Sequence, residues 1–202
     1  MAFSGKSEIC KMKQTYTEDK TFTQTNFQKT TFAKGEYEKC SFINCDFSNT
    51  NLSEVIFIDC KFTGCNLSLV KLAKTAIRDC KFKECKMLGL RFENCNEFGL
   101  SFSFENCNLS HASFYKIKIK NTLFKNSQLH ETDFAECDLT GSTFDNCDLA
   151  GATFDNSNLE KADFTTAFNY SIDPDKNRIK RAKFSVPGVL GLLNKYDIVI
   201  EN

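Results

Sequence analysis

From Phe22 to Phe92 every fifth residue is large and apolar, without a gap: Phe22, Phe27, Phe32, Tyr37, Phe42, Phe47, Leu52, Phe57, Phe62, Leu67, Leu72, Ile77, Phe82, Met87 and Phe92. The pattern slips by two residues and resumes from Phe104 to Phe164 through Leu109, Phe114, Ile119, Phe124, Leu129, Phe134, Leu139, Phe144, Leu149, Phe154 and Leu159. Such a period matches neither the 3.6 of a helix nor the 2.0 of a flat strand. A longer period lies over it. Phe22, Phe42, Phe62 and Phe82 recur at twenty, as do Phe104, Phe124, Phe144, Phe164 and Phe184. Four fives per repeat predict a coil with four short sides. Each central residue points inward, and successive coils stack about 4.8 Å apart, as strands do.

The residue two before each centre should also face inward beside a wall, where a small side chain fits. Cys40, Cys45, Cys60, Cys65, Cys80, Cys85, Cys107, Ala112, Thr132, Cys137, Ser142, Cys147, Ala152, Ser157 and Ala162 hold that place, and Val55, Val70 and Ile117 are larger exceptions. The residues between are mainly Lys, Asp, Asn, Glu, Ser and Thr, as an exposed face requires. Gly141-Ser142-Thr143-Phe144-Asp145-Asn146-Cys147-Asp148-Leu149 and Gly151-Ala152-Thr153-Phe154-Asp155-Asn156-Ser157-Asn158-Leu159 resemble the pentapeptide-repeat family, whose unit is a small residue, Asn or Asp, Leu or Phe, and two polar residues. The resemblance covers nearly the whole chain. It implies an all-β fold, a right-handed quadrilateral β-helix; the spacing alone yields four sides without the hand.

All eleven cysteines, Cys10 and Cys95 included, share the small inward phase, so they read as reduced core residues rather than zinc ligands or a disulfide framework. His111 and His130 stand at outward positions, away from any cysteine. A zinc site or a nucleophile–base pair lacks its parts, and the nine glycines form no phosphate loop. The expectation is a protein that is not an enzyme and needs no cofactor or metal. The opening residues lack a signal-peptide core, and the apolar stretch around Val186 to Leu193 is too short to cross a bilayer, so a cytoplasmic location is expected.

The sequence divides into an N-terminal cap over 1–21, the repeat over 22–184 and a C-terminal segment over 185–202. Two features interrupt the repeat: the slip at 93–103 and a turn-rich excursion at 165–178 around Pro174. At the slip two extra residues must bulge outward. Glu97 falls where a centre is due, Phe98 or Leu100 is expected to replace it, and Glu97, Phe98, Gly99 and Leu100 form a candidate contact loop. The tail predicts a short apolar helix capped by Ser185, with Pro187 in its first turn, then a strand over 197–201. It resembles the C-terminal module of Qnr-like members of the family, which implies a homodimer through Leu190, Leu193, Tyr196, Ile198 and Ile200.

Lys+Arg 26 balances Asp+Glu 26, so the chain as a whole is no polycationic nucleic-acid binder, and direct nucleic-acid binding is not expected. The balance hides a segregation. Residues 61–91 carry Lys61, Lys71, Lys74, Arg78, Lys81, Lys83, Lys86 and Arg91 against Asp79 and Glu84. Residues 131–163 carry Glu131, Asp133, Glu136, Asp138, Asp145, Asp148, Asp155, Glu160 and Asp163 against Lys161 alone. Eight coil steps of ~4.8 Å span about 38 Å, and two chains joined at their C-termini make a rod of roughly 75–80 Å, the length of about 22 base pairs. The Qnr-like resemblance implies a DNA mimic that binds DNA gyrase or topoisomerase IV through these carboxylates and protects it from quinolones or other poisons. The other class of function is a protein-interaction scaffold with an unrelated partner, for which the basic coils are the contact.

Overall fold

The corner residue makes the coil. The computed structural model describes residues 15–201, and in it the residue two after a centre adopts a left-handed conformation at corner after corner. Asn44 (φ 51°), Asn106 (φ 53°), Asn126 (φ 49°) and Asn146 (φ 50°) turn the chain from one wall to the next. Asparagine tolerates this region because its short amide bonds locally, which is why the repeat places Asn, Asp and Gly there. Gly141 (φ 71°) adds a steric reason: a Cβ there would lie 2.5 Å from Asn121 Oδ1.

The first wall, built on the Phe22 column, is a nine-stranded parallel sheet. Its strands are β2 (Thr21–Thr23), β4 (Ser41–Ile43), β6 (Lys61–Thr63), β8 (Cys80–Lys83), β9 (Phe102–Glu105), β10 (Leu123–Lys125), β11 (Thr143–Asp145), β12 (Asp163–Phe164) and β13 (Lys183–Phe184). The register pairs Phe42 with Phe62 and Phe124 with Phe144, and it absorbs the slip by pairing Phe82 with Phe104. Ring centroids along this column are 4.7–5.4 Å apart from Phe22 to Phe184, the rise expected of stacked strands. The fourth wall, on the Tyr37 column, carries β1 (Thr15–Glu18), β3 (Gly35–Glu38), β5 (Ile56–Ile58) and β7 (Ala76–Arg78). The second and third walls are held by single parallel bridges such as Asn108 to Gln128 and Ser113 to Asp133.

The centres from Phe32 to Phe164 are buried, while Phe22 and Phe27 at the open end are half-buried. The small inward residues do more than fit. Cys60 Sγ donates to Tyr37 O (3.2 Å), Thr132 Oγ1 to Leu109 O (3.2 Å), Ser142 Oγ to Ile119 O (3.1 Å) and Ser157 Oγ to Phe134 O (2.7 Å). Each thiol or hydroxyl thus caps the carbonyl of a centre one coil back, a bond that alanine at the same place omits. The ten cysteines from Cys40 to Cys147 are free and buried; Cys10 lies outside the described residues. Burial pushes the Cys147 and Cys95 thiols up to about 12, so both stay protonated at neutral pH.

Two expectations are corrected. At the slip, Phe98 does not replace the missing centre: it is 77% exposed. Leu100 packs partly against the core, but the volume is filled by Phe102, which is buried and lies 5.2 Å from the Phe92 ring and 5.1 Å from the Phe104 ring. Phe102 pairs with Cys80, so it occupies a slot normally reserved for a small residue. A large side chain fits there because Glu97 has left the interior.

At the C-terminus, the helix consists of two 3-10 segments, η2 (Gly188–Leu192) and η3 (Asn194–Tyr196), and residues 197–201 form no strand. Gly188 and Gly191 are pressed against Tyr170, where a Cβ would lie 2.3 Å from its hydroxyl or its carbonyl oxygen, so the segment is laid across the coil's end. Ser185 does cap it: Gly188 N donates to Ser185 Oγ (3.1 Å). Among the described residues no strand lies beside 197–201, and a strand without a ladder is not stable. In the excursion Tyr170 and Ile172 take over as buried residues, with Tyr170 5.6 Å from Phe164 and 5.9 Å from Phe184.

Candidate functional site

An elongated coil offers its outer walls. The carboxylates of 131–163 do not share one face of it. Asp145 and Asp163 lie on the first wall, Asp148 on the second, Asp133 and Asp155 on the third, and Asp138 and Glu160 on the fourth; Glu131 and Glu136 sit at corners. Together they form a belt around the rod.

Most of that belt is paired with cations from neighbouring coils. Glu136 Oε2 lies 3.0 Å from Lys116 Nζ, Asp138 Oδ2 3.2 Å from Lys120 Nζ, Glu160 Oε1 2.7 Å from Arg178 Nη2, and Asp163 Oδ2 3.1 Å from Lys183 Nζ. Asp155 is 3.8 Å from Lys176. The two outward-facing histidines each meet a carboxylate of the following coil: His111 Nδ1 is 3.3 Å from Glu131 Oε2, and His130 Nε2 is 2.9 Å from Asp148 Oδ2. Asp133 and Asp145 have no cationic partner among the described residues. The cations are exposed while several of the carboxylates are half-buried; each pair is worth little to stability, but the lysine and arginine pairs together reduce the field that the belt projects. The sequence carried a usable signal for them. Lys116 and Glu136, His111 and Glu131, and Lys183 and Asp163 are all twenty apart, one coil in register.

Several of the same carboxylates serve the backbone. Asp133, Asp138, Asp148 and Asp163 each accept the N–H of the residue two ahead through Oδ1, at 2.9–3.2 Å. Asn26, Asn51, Asn108 and Asn158 do the same. Where Asp or Asn stands before a centre, its side chain thus serves the turn whatever its charge. Thr165 donates its hydroxyl and its N–H to Asp163; against the opposing cost of burial, these bonds and Lys183 hold its carboxyl below the ordinary range. A hydrogen bond from Lys116, then one from Tyr115, does so for Glu136. Burial alone would raise Asp138 and Asp148, but Thr140 and Lys120 outweigh it at the first, and Asn169 and His130 at the second.

A carboxyl held low stabilises the fold fully above its unfolded value of about 3.9 and loses that contribution as pH falls through the depressed native value. The urea midpoint is accordingly expected to stay level from about pH 7 to 5 and to drop below about pH 4. A midpoint that rose on acidification would refute this.

The basic coils are the opposite case. Lys61, Lys71, Lys74, Lys81 and Lys86 have no carboxylate within ion-pair distance among the described residues, whereas Lys83 and Arg91 have one at 4.0 and 3.7 Å. The Arg78 guanidinium lies 5.4 Å from the Phe98 ring centroid, and its Nε donates to Phe98 O (3.3 Å). Asn96 Oδ1 accepts from Phe98 N (2.9 Å), so the backbone of the exposed residue is bonded at both its N–H and its carbonyl while Arg78 covers the ring. At the other end of the rod Leu190, Tyr196, Ile198 and Ile200 are exposed and Leu193 is half-buried. Among the described residues no three His, Cys, Asp or Glu side chains are placed to hold a metal ion, and no helix is long and apolar enough to cross a membrane.

Comparison with known proteins follows the same lines. The family profile described as a pentapeptide repeat region matches residues 35–103 and 100–167. No curated protein matches the chain. Among solved structures, a trypsin-treated form of QnrB1, described as a plasmid-mediated fluoroquinolone resistance protein, aligns with a TM-score of 0.53 at 20% identity over 90% of this chain and 99% of that one. HetL, a pentapeptide-repeat protein involved in heterocyst differentiation regulation in the cyanobacterium Nostoc, aligns with a TM-score of 0.53 at 14% identity, covering 84% of this chain and 87% of that one. These likenesses are of fold, and with the repeat profile spanning most of the coil, the chain belongs to the pentapeptide-repeat family.

Proposed function

We propose that the protein is a non-catalytic interaction rod that binds a type II topoisomerase, DNA gyrase or topoisomerase IV, and protects it from quinolones or other poisons by standing in for DNA. The observation that carries this reading is the rod itself: nine parallel strands stacked in one column, with a carboxylate belt on its C-terminal coils. The fold likeness to a protein described as conferring fluoroquinolone resistance supports it. The apolar tail supports an end-to-end dimer, which puts both belts at the centre of a rod of duplex length. Because much of the belt is paired with Lys or Arg, attraction to a cationic saddle rests on Asp133 and Asp145, on Glu131 and Asp148, whose only ion-pair partners among the described residues are histidines, and on carboxylates that exchange a surface cation for the enzyme's. Such recognition weakens steeply with salt.

The test is gyrase supercoiling in the presence of ciprofloxacin. Micromolar protein should restore supercoiling, or inhibit it by competing with DNA; no effect at that dose overturns the reading. Changing Asp133, Asp145, Asp148 and Asp155 to Asn keeps the Asx turns while removing four charges. It should raise the effective dose roughly tenfold or more with the β-sheet circular dichroism unchanged. For the tail, light scattering should report the mass of two chains, and Ile198→Glu with Ile200→Glu the mass of one. A wild-type chain at single mass removes the dimer.

One observation favours a second reading. Lys61, Lys71, Lys74, Lys81 and Lys86 lack a carboxylate partner among the described residues, so a partner that meets the basic coils finds a cluster of charge that their neighbours leave unneutralised.

A further inference from the structure

The third wall opens between two coils. On the neighbouring coils of this wall a centre's N–H donates to the coil above: Leu52 N to Lys71 O (3.0 Å), Phe92 N to Ser113 O (2.9 Å) and Phe114 N to Asp133 O (2.7 Å); towards the two ends Phe32 N and Phe154 N also lack it among the described residues. Between Lys71 and Arg91 no such bond forms. The Arg91 carbonyl is turned into the 3-10 segment η1 (Phe92–Asn94) and accepts instead from Asn94 N (3.3 Å). Leu69 N to Leu88 O (3.0 Å) and Lys74 N to Asn94 O (2.7 Å) still tie the coils on either side. What remains between is an open groove of about 330 Å³, the volume of a few side chains, lined by Leu69, Val70, Leu72 and Ala73 together with Lys71 and Arg91.

Three other features belong to the same pair of coils. Leu69 is 59% exposed at a left-handed corner (φ 57°), where the repeat otherwise favours Asn, Asp or Gly. Phe98 stands out from the fourth wall beyond the Lys74 corner, held by Arg78 and Asn96. Lys71 and Lys74 have no carboxylate partner among the described residues. Apolar anchors thus mark both ends of a short cationic stretch, and the Leu72 N–H between them has no hydrogen-bond partner among the described residues.

We propose that this surface, from Leu69 across Lys71 and Arg91 to Arg78 and Phe98, docks an extended acidic segment of a protein partner that carries aliphatic or aromatic side chains. Charge complementarity selects an acidic occupant. The missing backbone bond and the aliphatic floor select a polypeptide over a nucleic acid, which would want stacking faces along a basic channel. An exposed aromatic fixed by arginine is a typical centre of binding energy. The proposal does not rest on the topoisomerase reading and survives its failure.

Fluorescence anisotropy tests it with a labelled peptide of alternating Glu and Leu, the same peptide with Lys for Glu, and labelled oligothymidylate. The acidic peptide should bind saturably in the micromolar range at low salt. Phe98→Ala and, separately, Lys71→Glu should each weaken it roughly tenfold. Both side chains are exposed, so circular dichroism should match the wild type; Phe98→Tyr, which keeps the ring, should bind within about twofold of it. No saturation below millimolar peptide, equal binding by the Phe98→Ala variant, equal binding of the basic peptide, or tighter binding of oligothymidylate would each overturn the proposal.

Discussion

Phe102→Ala is expected to lower the unfolding free energy by about 3–5 kcal/mol, while Phe98→Ala, four residues earlier, changes it by less than about 0.5 kcal/mol. Both rings sit in the same irregular coil and look interchangeable in the sequence. Phe102 is buried against Phe92 and Phe104, and it fills space that a centre would have filled had the repeat not slipped. Removing it leaves a cavity lined by rings whose backbones are tied to neighbouring coils, for example Cys80 N to Ser101 O (3.2 Å), so the walls cannot collapse inward. Phe98 touches Arg78 and little else. Urea unfolding of the two variants checks the contrast; equal losses would mean that the slip is packed differently.

Phe124→Ala should cost a comparable 3–5 kcal/mol, and Phe22→Ala at the open end less, about 1–2 kcal/mol. Phe124 is fully buried, stacked 5.2 Å from Phe104 and 5.0 Å from Phe144, with edge-to-face neighbours Phe114 and Phe134 at 5.8 Å. Each aromatic pair adds about 0.5–1.5 kcal/mol to the area it buries. In a solenoid a coil is supported only by the coils above and below, so a void in the middle weakens two interfaces at once. Phe22 is half-buried and has one stacked neighbour, Phe42 at 4.9 Å. If the mid-rod variant proved no less stable than the end variant, the stacked column would not be the source of stability.

The same contrast shows how far the linear pattern reaches. Inward and outward positions, the length of a coil and the phase of the cysteines follow from residue type alone, because a centre that is apolar at every fifth place can be buried in one register only. The corners are less legible: Asn, Asp and Gly recur there, but Lys39, Glu54, Lys116 and Glu136 adopt the same positive φ. The polarity of the inward small residues was harder to read. Their size suggested packing, but the bonds from Cys60, Thr132, Ser142 and Ser157 to carbonyls one coil back exist only once the coils are stacked.

The candidate surfaces divide along this line. Residue type and spacing suffice for the rod, its lining and the segregation of basic from acidic coils, all of which depend on contacts repeated at one fixed offset. The stacking of the coils settles the rest: many of the acids are paired, Phe102 and not Phe98 closes the core, the tail forms 3-10 turns, and the third wall parts between Lys71 and Arg91. Those outcomes turn on which of several near neighbours in adjacent coils wins a side chain or a backbone bond. That competition is settled by distances of a few ångströms across the stack, which residue order does not contain.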